Sequence, residues 1–585
     1  MTSDKSDGGR LFGRPAEEWG PEQERSRLPV IPIVFLPGIM GSNLRVKNAC
    51  VTEVKRRFEE EGKVFPGKAW DPPSIRYSNL KLAKTLLQET AGADSQAVAK
   101  ARLWDGYGPK LRQVLLNPET VEVDERGFLP GFFPGMHEIE GQPPRDMARK
   151  RGWGSVYWDT YGPILQFLEL HLNPTARNDE IGIRYRESNI GLGMLFNGAL
   201  ECIQDVLPTR EEIAKAARFR YPVHAAGYNW TQSNLQSAKD VMAKVQGILQ
   251  GYQQQGLDCR QVILVTHSMG GLVGRILSGL APDLILGVVH GAMPAIGAPD
   301  AYQIMAAGVQ EKTCPMFHDL RNVAASLGGR DAAETTPVMA NAPGALELLP
   351  SFLYPRGWLK VEREVGKGQT QEIFTLPTKD DPYTEIYREK EAWWRLVDPE
   401  LLDPANLVGS EGRQYVEGNA WKEYKIRIFD IEDLHKNWLG KENYHKPSIF
   451  FYSKDKKTFS SVRWLLLGDS IRFDKTEIAN AKPLNYHNKG SREILFPKKK
   501  LSINFQSDQG PGCYAQEHSM VQIQKANGHG DGTVPIESGA APRVSIKYEV
   551  CLHGFDHADA YKPALSKFLT MIAVCKLVGA DLSKN

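Results

Sequence analysis

Cysteine is scarce in this chain: seven among 585 residues (Cys50, Cys202, Cys259, Cys314, Cys513, Cys551 and Cys575), far apart and with no C-x-x-C pair. An odd, scattered set reads as reduced buried thiols made in a cytosolic compartment. Charge imbalance is small as well. Lys and Arg number 72 against 70 Asp and Glu, a net charge of +2, which gives no argument for a nucleic-acid partner. Long apolar runs are also missing. "LILGVVHGAMPAIGAP" (284–299) and "FLTMIAVCKLVGA" (568–580) are too short or too broken by Gly and Pro to span a bilayer, so membrane contact is expected to be peripheral. The first 29 residues are polar and charged, without the apolar core of a signal peptide, and are expected to form an arm.

What the chain does have is length and a hydrophobic fraction of 41%, enough for a large core and more than one minimal domain. Apolar runs alternate with helical periodicity, as in an α/β sheet. "VIPIVFLPGIMGSNL" (30–44) reads as a strand ending in a Pro-Gly turn, and "YPVHAAGYNW" (221–230) as a second strand before the helical stretch 233–256. The strand "VILV" (262–265) and the strand "LILGVVHGAMP" follow. This order predicts a mostly parallel, doubly wound sheet. Between 301 and 505 the alternation is lost among Pro-, Trp- and charge-rich pieces. The expected organisation is an arm (1–29), a core (30–44, 181–300 and 506–585), a first cap insertion (45–180) and a second cap or accessory insertion (301–505). "WDGYGPKLRQVLLNP" (104–118) resembles "WDTYGPILQFLELHLNP" (158–174), as if marking two helix starts of like geometry.

The four β-branched or apolar residues of "VILV" run straight into Thr266-His267-Ser268-Met269-Gly270 and then into a helix carrying Leu272, Ile276 and Leu280 at helical spacing. A strand that reverses into a helix within about three residues places Ser268 on a tight turn. The pattern G-x-S-x-G describes such a nucleophile elbow, with Thr266 standing where the first Gly belongs. A serine hydroxyl needs a base and an orienting carboxylate. Thirteen histidines compete. In α/β-hydrolases the acid and base follow the serine, which directs attention to "NGHGDGTVPIES" (527–538) and "HGFDHADAY" (553–561). Asp531 sits in an Asp-Gly pair that is also a common turn. His553 and His557 both fit a loop, and His529 beside Asp531 lacks further ligands at metal-binding spacing.

Together, "PIVFLPGIMGSNL", "GYNW", "THSMGG", "GDGTVP" and "HGFDH" occur in the order seen in lipases similar to lecithin:cholesterol acyltransferase and lysosomal phospholipase. The chain also resembles the glycosylphosphatidylinositol inositol-deacylase-like lipases. The matching stretches are 30–44, 221–300 and 527–570. The long insertions and "APGALELLPS" (342–351) further resemble the fourth family of bacterial type VI secretion lipase effectors. The resemblance implies an α/β-hydrolase fold with large cap or lid insertions and no cofactor or metal. It implies a Ser268, Asp531, His557 triad, with His553 supporting and Asp556 as the competing carboxylate. It assigns the oxyanion hole to the backbone amides of Met269 and Ile39, with Met40 as the alternative to Ile39. It further implies a phospholipid substrate at the periplasmic membrane face of a target cell and a cognate immunity protein as partner. An acyltransferase using the same triad, and an inactive binding protein on a hydrolase scaffold, remain alternatives. "GFLPGFFPGM" (127–136) is expected to be either an interfacial patch or lid, or a buried packing loop. "KDKK" (454–457) and "PKKK" (497–500) are candidates to attract anionic headgroups or plain solvated faces.

Overall fold

The computed structural model describes residues 28–71, 106–136, 142–173, 200–201, 203–309, 329–366, 368–408, 410–411, 414–415, 418–467, 473–488, 491–496, 499–500, 514–515 and 518–579. Seven strands form the central sheet. They are β1 (Ile33–Leu36), β2 (Leu200–Glu201), β3 (Val223–Ala225), β4 (Val262–His267), β5 (Ile285–Gly291), β6 (Ser448–Tyr452) and β7 (Tyr548–Leu552), in the spatial order β2-β7-β6-β5-β4-β1-β3. Every neighbouring pair is parallel except β2, which runs antiparallel along β7.

These strands read as continuous apolar runs because both faces are covered. Ile33, Phe35, Ile263, Val265, Val289, Ile449, Phe451 and Val550 join one buried cluster, while Val34, Leu36, Val262, Leu264 and Val288 join another. The first lies under helices α1 (Trp158–Leu172) and, at the C-terminal end of the chain, Ala564–Gly579; the second lies under α2 (Asn234–Gln253) and α3 (Met269–Leu280). The N-terminus of α2 is fixed twice: Ser233 Oγ accepts from Leu235 N at 3.1 Å, and the buried Glu347 Oε2 accepts from Asn234 N at 2.9 Å.

The domain limits differ from the expected ones in three places. Helix α1 falls inside the span 45–180 expected to be a cap, yet Ile164, Leu165 and Leu168 pack in the sheet's own core. Strand β6 falls inside 301–505 but sits between β5 and β7, its five residues "SIFFY" all buried. The accessory region builds a second, six-stranded sheet from Leu359–Gly366, Gln369–Leu376, Val462–Leu466, Lys482–Asn488, Ser491–Leu495 and His518–Ile523, so it runs past 505. The loss of β/α alternation marked the accessory sheet but hid a core strand set between its second and third strands.

The two "WD-x-YGP" copies also differ. In the first, Gly108 precedes a helix that opens on Pro109; in the second the helix opens at Trp158 and Pro163 lies inside it. A proline past the first turn forfeits a helical hydrogen bond, which tertiary packing of α1 offsets here. Residues 104–105 of the first copy lie outside the described residues, as does nearly all of the arm. Of the cysteines, Cys50, Cys259, Cys551 and Cys575 are described as thiols outside any disulfide, the last three buried; Cys202, Cys314 and Cys513 lie outside the described residues. Among the described residues no helix is long and apolar enough to cross a membrane.

Helix α1 is pinned by an ion pair with both side chains 4% exposed: Arg151 donates to Glu169 Oε2 at 2.8 Å, and the same oxygen accepts from the Val223 amide of β3 at 2.8 Å. Removing one partner of a buried pair leaves the other charge desolvated. Glu169→Ala is therefore expected to destabilise the protein by about 3–5 kcal/mol in urea unfolding. Pairing it with Arg151→Met should recover part of that loss, and a single variant as stable as the wild type would show that the pair does not anchor α1.

Candidate active site

Ser268 occupies the turn between β4 and α3 with φ 52° and ψ −126°, a left-handed conformation that a non-glycine residue adopts only where its surroundings enforce it. The turn is tight because α3 starts against β1: a Cβ on Gly270 would lie 2.5 Å from Pro37 O and 2.6 Å from Leu36 O. Thr266, in place of the elbow's first glycine, is buried; its hydroxyl bonds His290 Nδ1 at 3.0 Å. Room for its methyl comes from Gly274, where a Cβ would approach Thr266 Cγ2 to 3.0 Å. The departure from the elbow pattern is thus accommodated one turn into α3.

The structure brings Ser268, His557 and Asp531 into one hydrogen-bonded line. His557 Nε2 lies 2.8 Å from Ser268 Oγ, and His557 Nδ1 lies 2.7 Å from Asp531 Oδ2. The other carboxylate oxygen, Oδ1, accepts from the amides of Thr533 (3.0 Å) and Val534 (2.7 Å). The Asp-Gly turn and the partner of the histidine are therefore the same residue, one oxygen for each task. The His557 amide also donates to Asp531 O at 2.9 Å, joining the two loops by their backbones. Ser268 is 4% and Asp531 2% exposed, so this line lies in a desolvated setting.

Asp556 points elsewhere: its side chain is 72% exposed and meets Lys456 at 3.6 Å. His553 is half-buried and lies near Asp455, outside the Ser268–His557–Asp531 line. His529 is exposed, and among the described residues no group of His, Cys, Asp and Glu could hold a metal ion.

Met269 opens α3, where the helix dipole favours negative charge, and its amide has no intrahelical acceptor available at that position. Ile39 and Met40 follow Pro37-Gly38 at the end of β1, both partly buried. The turn is held by Gly41 N donating to Gly38 O (3.0 Å), Trp70 Nε1 donating to Met40 O (2.7 Å) and Tyr228 Oη donating to Pro37 O (2.7 Å).

Three groups at the site have roles that the sequence reading did not assign. "KDKK" is no free basic patch: Lys456–Thr458 pairs antiparallel with Gly528–Gly530, Thr458 Oγ1 accepts from Gly532 N at 2.9 Å, and Asp455 accepts from Gly554 N at 2.8 Å. The segment braces both the Asp531 and the His557 loops. His267 is buried beside the elbow, where desolvation lowers its pKa to about 3. Tyr161 of α1 reaches it at 2.9 Å. The only sequence signal for the last two was their neighbours, the elbow and the "WDTYGP" copy.

The parallel sheet, a serine on a strained strand-to-helix turn, and an acid and base arriving later in the chain define an α/β-hydrolase. Residues 224–329 match the family of the PGAP1-like alpha/beta domain. Among solved structures, the crystal structure of a Tle4-Tli4 complex is similar over 94% of this chain and 98% of the other, with a TM-score of 0.65 and 27% sequence identity. No curated protein matches. Both similarities fall among the lipase-like hydrolases that the motifs resemble.

Proposed function

We propose that the chain is a serine lipase that hydrolyses acyl ester bonds of membrane glycerophospholipids. The observation that carries this reading is the unbroken line Asp531 Oδ2, His557, Ser268 Oγ at the elbow of a lipase-like α/β-hydrolase. Ser268 Oγ bonds to the ester carbonyl carbon as His557 Nε2 takes its proton, and Asp531 stabilises the imidazolium. The carbonyl oxygen becomes an oxyanion facing the amides of Met269 and Ile39. Collapse breaks the ester C–O bond, and His557 gives its proton to the leaving alcohol, a lysophospholipid. A water, deprotonated by His557, then resolves the acyl-enzyme to free fatty acid and restores Ser268. Similarity to Tle4, crystallised with Tli4, supports a type VI secretion effector held in check by an immunity protein and acting at the periplasmic membrane face of a target cell.

The loop 127–136 supports a lipid surface. It is anchored and exposed by turns: Leu129, Phe133 and Met136 are buried, Phe133 against Trp158 at a ring distance of 5.3 Å, while Phe128 and Phe132 are 54% and 74% exposed. Arg149 donates to Gly127 O at 2.8 Å, tying the start of the loop to the helix Pro144–Lys150. Mass spectrometry of phospholipid vesicles treated with the protein should show fatty acid and lysophospholipid in equal amounts. Absence of both would overturn the phospholipase reading. A Phe128→Ser, Phe132→Ser variant is expected to release fatty acid from vesicles at least roughly 30-fold more slowly, each ring contributing about 1–2 kcal/mol of interfacial burial, with hydrolysis of a water-soluble ester unchanged.

A further inference from the structure

We propose that Tyr161 and His267 are positioning residues of this active site, forming a one-way hydrogen-bond relay that couples the oxyanion turn to the backbone of the triad histidine. The inference rests on the lipase reading for its chemistry but on geometry for its existence. Three contacts define it. Gly38 N donates to Tyr161 Oη at 3.0 Å, Tyr161 Oη meets His267 Nδ1 at 2.9 Å, and His267 Nε2 meets His557 O at 2.9 Å.

The roles along this line are forced. A backbone carbonyl only accepts, so His267 Nε2 carries the proton that reaches His557 O. Buried and desolvated, the ring is neutral, which leaves Nδ1 bare as an acceptor. Tyr161 must therefore donate to Nδ1, and its oxygen is free to accept from Gly38. No other tautomer satisfies all three contacts. The burial that keeps His267 neutral also raises the Tyr161 hydroxyl well above the usual phenol range, so neither group titrates near neutral pH.

The ends of the line are what make it more than packing. Gly38 directly precedes Ile39, the proposed oxyanion donor. His557 is held by the same residue's two backbone groups: its carbonyl by His267, its amide by Asp531 O at 2.9 Å. The line runs from β1 through α1 and the last residue of β4 to the 557 loop, segments separated by 123, 106 and 290 residues along the chain. His267 is covalently next to Ser268. A shift in any of these four segments is thus felt by the oxyanion turn and the base together, which matters because reacting groups displaced by about 1 Å can lose about 100-fold in rate.

The test compares Tyr161→Phe and His267→Gln with Tyr252→Phe in the full chain. Tyr252 makes an equivalent buried bond, Oη to His224 Nε2 at 3.0 Å, but away from the turn and the triad. The readouts are the rate constant for labelling Ser268 with a fluorophosphonate, and kcat and KM for a soluble p-nitrophenyl ester normalised to labelled sites. Tyr161→Phe and His267→Gln are expected to slow labelling and lower kcat per labelled site by about 10–100-fold with KM within about two-fold, while Tyr252→Phe changes neither. Rates per labelled site within about two-fold of wild type for both relay variants would overturn the proposal, as would an equal loss in Tyr252→Phe. A wild type that labels at Ser268 yet cleaves no phospholipid would remove the lipase reading alone, since the labelling rates still decide the relay. A wild type that fails to label overturns both.

Discussion

Ser268→Ala is expected to lower fatty-acid release by about 10⁴–10⁶-fold while leaving urea unfolding nearly unchanged, and His557→Ala to do the same. The two losses should not add, because without the nucleophile the base has no proton to accept. Asp531→Asn is the more informative variant. Its Oδ1 can still accept from Thr533 and Val534, so the loop keeps its shape. The new amide would face His557 Nδ1 where the carboxylate oxygen stood at 2.7 Å. An amide donor there forces the proton onto Nε2, the atom that must accept from Ser268, and the expected loss is about 10⁴-fold with little change in KM. Mass-spectrometric release of fatty acid from vesicles, with a soluble ester as a second substrate, measures all three. A Ser268→Ala protein retaining more than about 1% of the activity would sink the proposed mechanism.

How far the site can be read from the sequence depends on how local each signal is. The elbow is local: four apolar residues, a polar turn and a helix start stand side by side, and Ser268 follows from them. Asp531 and His557 are local only as turn and loop residues; it took the family's motif order to prefer them over Asp556 and His553. The structure adds a physical reason, since adjacent Asp556 projects into solvent toward Lys456 while Asp531 arrives from a separate loop. The relay residues Tyr161 and His267 carry no local signal of their own. Their partners lie over a hundred residues away, and nothing in "WDTYGP" announces that its tyrosine will meet the Pro-Gly turn.

The fold shows the same division. Strands β4 and β5 announce themselves as apolar runs flanked by helices, because each is covered on both faces and followed closely by a helix, while β1 is legible from its apolar run and Pro-Gly turn alone. Strand β6 returns to the sheet in the middle of the accessory region, between its second and third strands, so its "SIFFY" run is not followed by the helix that would mark a β/α unit. "KDKK" misleads for the opposite reason: a charge run on an edge strand keeps its lysines outward while its backbone and Asp455 tie the two triad loops together.

Lowering the pH from 7.5 to 5 is expected to reduce folding stability by about 3 kcal/mol or more, a large fraction of a typical total stability. Four histidines are fully enclosed, and burial lowers each: His267 and His290 to about 3, His435 to about 4, and His224 well below its usual value. The unfolded chain binds protons near pH 6.5 that the folded chain refuses until far lower. Stability is therefore fully present above about pH 6.5 and is lost as pH falls toward the folded values, by about 2 kcal/mol at pH 5 for each of His267, His290 and His435, with His224 acting in the same direction. Glu347 acts in the other direction. Burial raises it to about 8, so its cost appears as pH rises from its unfolded value, and acidification returns about 3 kcal/mol. The histidines outnumber it, and the net slope is positive with pH. Urea midpoints at pH 7.5, 6.5, 5.5 and 5 measure that slope, and His435→Gln should flatten it by one histidine's share. A stability constant within about 1 kcal/mol over this range would mean that these rings are not held neutral in the folded state.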